Sequence, residues 1–92
     1  MARTAQIDVS KLSPGHYEVI VDEFTSSRSF EVTLAQNFFQ EHAGGRSEEE
    51  FIRDVFRFLL SREPKESILE RFDIADISTY FPEFEKEIGR LM

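Results

Sequence analysis

The apolar residues of this chain change their period once, at Gly44-Gly45. Before that point β-branched and aromatic residues alternate with polar ones, the period of a strand with one buried face. After it phenylalanine, isoleucine and leucine recur at helical spacing. Such a chain must build a sheet first and then cover its apolar face with helices. Ile7 and Val9 alternate with Asp8 and Ser10. Tyr17, Val19 and Val21 alternate with Glu18, Ile20 and Asp22, and Phe30, Val32 and Leu34 alternate with Glu31 and Thr33. Ser13-Pro14-Gly15 supplies a turn, since proline fixes φ and glycine adopts positive φ without a steric cost. Thr25-Ser26-Ser27-Arg28 reads as the second connection.

The spacing predicts a short helix from Ala35 to His42, stopped by Gly44 in the left-handed position that follows many helices. Ser47-Glu48-Glu49-Glu50 then opens a long helix. Serine can cap the first turn, Glu50 stands three residues on as in a capping box, and the carboxylates suit the positive end of the helix dipole. This helix is expected to end near Arg62, because Pro64 biases its predecessor toward extended backbone. Further helices are expected over Pro64 to Phe72, Ile74 to Tyr80 with Asp73 as cap, and from Pro82 to about Leu91. The expected fold is one α+β domain over residues 1–92, with residues 1–5 flexible. It comprises an N-terminal three-stranded antiparallel β-meander, a short helix, one long helix and two or three short C-terminal helices.

The long helix is apolar over more than one face. Successive residues of a helix turn by about 100° around its axis. Viewed down that axis, the apolar side chains follow one another in the order Phe58, Phe51, Val55, Leu59, Ile52, Phe56 and Leu60. Together they span an arc of roughly 200°. A helix lying on a protein surface needs an apolar stripe only a little wider than about 100°. Two coverings would account for the width. The sheet can take one side and the C-terminal helices the other. Alternatively, Ile52, Phe56 and Leu60 face a second chain, with a homodimer the commonest outcome.

Strand parity places Asp8, Glu18, Asp22 and Glu31 together on the face opposite the apolar residues. If Ser26-Ser27 formed a two-residue turn, Asp22 would lie across from Glu31, and like charges directly opposite are unfavourable. A shifted register, a solvated pair, or a bound divalent cation or basic partner would each relieve this.

Composition narrows the functions. Eleven basic against eighteen acidic side chains give a net charge of −7. That balance argues against sequence-independent nucleic-acid binding, whose affinity comes from Lys and Arg on phosphates. The absence of cysteine removes disulfides, thiolate metal sites and cysteine nucleophiles. The longest apolar runs, such as Phe58-Leu59-Leu60, are too short to suggest a membrane span, and the first residues lack the apolar stretch of a signal peptide. A cytoplasmic location is expected, with no membrane association. His16 and His42 lie far apart outside any metal-binding pattern. Gly44-Gly45-Arg46-Ser47 lacks the lysine of a phosphate loop. No catalytic residue, cofactor or metal ligand is assigned.

From Phe58 the chain reads Phe-Leu-Leu-Ser-Arg-Glu-Pro-Lys-Glu-Ser-Ile-Leu-Glu-Arg-Phe-Asp-Ile, followed by Ile77-Ser78-Thr79-Tyr80-Phe81-Pro82-Glu83-Phe84-Glu85. This resembles the closing segment of a group of short bacterial proteins with no assigned function. The strands Tyr17-Glu18-Val19-Ile20-Val21 and Phe30-Glu31-Val32-Thr33-Leu34 are similar to theirs as well. The resemblance implies a bacterial α+β domain and carries over no activity, ligand or site residue.

The function expected from the residues is a non-enzymatic protein-interaction module, acting on a protein partner or by self-association. Two alternatives stand beside it: a small-molecule or divalent-metal binder or enzyme using the sheet-face carboxylates, and an acidic regulator of a basic partner.

Overall fold

In the computed structural model, which describes residues 5–23 and 25–90, the alternating first half forms three antiparallel strands. They are β1 (Gln6–Ser13), β2 (His16–Glu23) and β3 (Ser26–Thr33). The flexible start expected for the chain lies outside the described residues over 1–4, while Ala5 is partly buried against the core. Gly15 turns β1 into β2 with φ of 76°, and its carbonyl accepts the backbone N–H of Leu34 at 2.8 Å. The turn is thereby tied to the far end of β3.

The second hairpin is tight but displaced from its expected place. Glu23 pairs with Ser26, so Ser26–Arg28 belong to β3 and not to the connection. Asp22 therefore faces Ser27, and the like-charged pair across the strands is Glu18 with Glu31.

Two helices follow the sheet, the first without a side-chain cap and the second opened by one. Helix α1 spans Gln36–His42, and Gly44 follows it with φ of 59°. Helix α2 spans Glu48–Arg62. The Ser47 hydroxyl accepts the Glu50 N–H at 3.2 Å, and the Glu50 carboxylate accepts the Ser47 N–H at 3.0 Å. Glu63 is extended ahead of Pro64 and ends the helix.

The segment after α2 differs from expectation. Instead of a helix over Pro64 to Phe72, a single tight turn over Lys65–Ser67 gives way to extended backbone at Ile68 and a fourth strand, β4 (Arg71–Asp73). β4 runs parallel to β3 and extends the sheet to the order β1-β2-β3-β4. The cause is tertiary. A three-stranded meander leaves the backbone of β3 unpaired on one side, and the returning chain satisfies it, beginning with the Glu31 N–H on the Glu70 carbonyl at 2.7 Å. Asp73 accepts the Ala75 N–H at 3.0 Å and starts the next turn, which continues into α3 (Ile77–Tyr80). Helix α4 (Phe84–Arg90) closes the described chain.

The core lies between the inner sheet face and α2, and continues on the other side of α2 to α1 and α4. Each of the nine phenylalanines among the described residues makes a ring–ring contact. Toward the sheet, Phe56 lies 5.2 Å from Phe30 and 5.9 Å from Phe72, centroid to centroid. Away from the sheet, Phe58 lies 5.1 Å from Phe84 and 5.8 Å from Phe81, and Phe51 meets Phe38 and Phe39. The wide apolar arc of α2 is thus absorbed inside the chain. Arg53 ties this helix to β1 as well, donating from Nε to the Ile7 carbonyl at 3.0 Å.

Candidate functional site

Two of the three residues expected to face a partner are buried inside the chain. Ile52 and Phe56 are 0% exposed, and Leu60 is partly buried against the same core. Sheet and helices between them cover Ile52 and Phe56, so of the interface expected at Ile52, Phe56 and Leu60 only Leu60 keeps part of its surface.

The carboxylates of the outer sheet face are spread along it, and the register sets only Glu18 and Glu31 opposite each other, with Asp8 facing Ile20. Asp8 and Asp22 are exposed; Glu18 and Glu31 are half-buried. Glu31 relieves its opposition to Glu18 by turning to two basic groups, His16 Nε2 at 3.3 Å and Arg71 Nη2 at 3.7 Å. Arg71 arrives on β4, the strand that local periodicity did not reveal. Among the described residues no group of three or more His, Asp or Glu is placed to hold a metal ion. The outer face is a mixed polar surface with Ile20 half-buried within it.

A concave surface forms elsewhere, where the end of α2, the turn after it, β4 and α3 meet. Its volume is about 440 Å³. Leu59, Ile68 and Ile77 form a buried floor, and Phe72 and Phe81 form half-buried walls. The walls are fixed from behind, because Phe72 packs on Phe56 and Phe81 on Phe58. Two apolar side chains stand on the rim. Leu69 is 59% exposed and Tyr80 is 68% exposed.

The polar lining is Glu63, Ser67 and Asp76. Glu63 is the residue that ends α2, held by its backbone N–H on the Leu59 carbonyl. Asp76 precedes α3 without capping it through its side chain. Neither carboxylate has an ion-pair partner among the described residues. Their charge is left to the groove and the solvent.

A helix over Pro64 to Phe72, as the spacing predicts, would not form this groove, which depends on the turn and on β4 in that segment. One signal was available. Consecutive apolar residues in extended chain point to opposite faces, so Ile68-Leu69 between Ser67 and Glu70 must expose one of the pair if that segment is not helical.

Near this region Lys65 is nearly buried, with 5% of its side chain exposed, and lies 2.7 Å from both Glu23 and Glu66. Hydrogen bonds to Glu23 and then Glu66 hold its ammonium above the ordinary lysine pKa of 10.5, against the opposing effect of desolvation. The bond from Lys65, then a bond from its own backbone, holds Glu66 below the ordinary 4.5. This triad fastens the turn after α2 to the end of β2, and so fixes one side of the groove.

Among the described residues, no helix is long and apolar enough to cross a membrane. Comparison of the chain with protein-family models, with curated proteins and with solved structures gives no match.

Proposed function

We propose that this chain is a protein-interaction module whose docking surface is the groove formed by α2, β4 and α3. One observation supports the reading above all. Leu69 and Tyr80 stay largely exposed together beside a concave apolar surface, whereas Leu12, the other large apolar side chain exposed among the described residues, stands apart from it. Exposed apolar residues grouped around a concavity mark binding surfaces, whereas singly scattered ones do not. The walls are braced by core rings, so little ordering is needed on binding, and the cost of association falls accordingly. A small bacterial protein working without catalysis is consistent with this surface, and the partner is either another chain or a second copy.

Site-specific photo-crosslinking tests the reading. A photoreactive side chain at position 80, used in cells that make the protein, should give a discrete polypeptide adduct. The same group at position 22 on the outer sheet face should not. Adducts from position 22 alone, or from neither position, would remove the groove as a docking surface.

A further inference from the structure

We propose that the groove takes a cationic amphipathic polypeptide segment, whose apolar side chains enter between Leu69 and Tyr80 and whose lysine or arginine groups meet Glu63 and Asp76. This rests on the groove being a polypeptide-docking surface, and it adds the chemistry of the occupant.

Charge complementarity selects this occupant. The segment that builds most of the groove, residues 63–81, holds five carboxylates against two basic side chains. Both of those basic groups are already engaged. Lys65 is held by Glu23 and Glu66, and Arg71 reaches Glu31 on the outer sheet face. Glu63 and Asp76 line the groove itself and have no ion-pair partner among the described residues. An anionic occupant would meet repulsion, and a neutral one would leave both charges beside apolar surface without compensation. A cationic occupant supplies what is missing and would be steered to the site by the overall charge of −7.

The apolar part of the site sets the rest. A volume of about 440 Å³ accommodates a few large side chains. The floor is entirely aliphatic, from Leu59, Ile68 and Ile77, and two phenylalanine rings wall it. Such a groove reads apolar anchors spaced along one face of a helix. The aromatic faces of Phe72, Tyr80 and Phe81 would also accept a guanidinium or ammonium group.

The probe is a short helix-forming peptide of leucine and lysine, with a glutamate counterpart of identical apolar pattern. Binding is read by fluorescence anisotropy of the labelled peptides. The lysine peptide is expected to bind wild type. Leu69→Ser with Tyr80→Ser should weaken it by about tenfold or more. Glu63→Gln with Asp76→Asn should weaken it by about fivefold and flatten its salt dependence. Asp8→Asn with Asp22→Asn removes the same charge from the outer sheet face and should leave affinity within about twofold. All six positions are exposed or half-buried, and an unchanged melting temperature would verify that each variant folds.

The failures are distinguishable. If both peptides bind equally and both are lost with Leu69→Ser and Tyr80→Ser, the groove stands and its cationic preference is overturned. Absence of lysine-peptide binding, or binding indifferent to those two substitutions, overturns the proposal together with the docking site. A self-association abolished by the same two substitutions would put a second copy in the groove and overturn the cationic segment.

Discussion

Arg46 Nη1 lies 2.9 Å from Asp54 Oδ2 in a pair that is about nine-tenths buried on both sides. The guanidinium also donates to the carbonyls of Ala43 at 2.8 Å, His42 at 3.0 Å and Ile88 at 2.9 Å. One side chain thereby joins the ends of α1 and α4 to the middle of α2. Asp54 meets Arg57 as well, at 2.6 Å. Removing Arg46 leaves the buried Asp54 carboxylate with the more exposed Arg57 alone and takes the donor from three carbonyls. Arg46→Ala should cost about 3–5 kcal/mol in urea unfolding. Arg46→Met with Asp54→Leu should recover part of that loss, since it removes the buried carboxylate with its partner but leaves the carbonyls of His42, Ala43 and Ile88 without this donor.

Phe56→Ala should cost about 3–5 kcal/mol as well, through the cavity left between Phe30 and Phe72. Leu69→Ser should be close to neutral in stability, because its side chain is already mostly in water. The contrast separates packing from docking: denaturation curves should respond to position 56 and not to position 69, whereas Leu69→Ser should weaken binding without changing stability.

The turn between β1 and β2 has little tolerance. A Cβ on Gly15 would stand 3.3 Å from the Leu34 carbonyl oxygen, in a backbone conformation with φ of 76° that side-chain-bearing residues avoid. Gly15→Ala should lower stability by about 1–2 kcal/mol, measured as a shift of the denaturation midpoint with an unchanged slope.

Lys65 and Glu66 give the stability a pH signature. The raised Lys65 pKa means that its contribution is complete below the ordinary lysine value of 10.5 and is lost as pH climbs through the higher folded value. The lowered Glu66 pKa means the opposite side: its contribution is present above the ordinary 4.5 and is lost as pH falls through the lower folded value. Lys65→Met should flatten both flanks in melting curves taken across pH, because it removes the titrating ammonium on the alkaline side and the partner that lowers Glu66 on the acid side.

These relationships differ in how far the sequence discloses them. The capping box of α2 and the two-sided burial of that helix were legible, because both follow from residues one or two turns apart. Asp54 lies on the polar side of α2 by angle alone, so nothing local shows that Arg46 and the end of α4 close over it. The displaced hairpin was illegible for a related reason. Parity assigns Asp8, Glu18, Asp22 and Glu31 to one face in any register, but only the position of the turn decides which of them oppose. Strand β4 is the largest omission. Arg71-Phe72-Asp73 is too short to show alternation, and it exists because β3 offers an unpaired backbone. The groove depends on that strand, so its residues could be read one by one and not as a site.

Nuclear magnetic resonance mapping of the leucine–lysine peptide on isotopically labelled protein decides whether the groove is the docking surface. Backbone amide shifts should concentrate at Leu69, Phe72, Asp76 and Tyr80. Shifts confined to Asp8, Glu18, Asp22 and Glu31 on the outer sheet face, with the groove unmoved, would contradict a docking site between α2, β4 and α3.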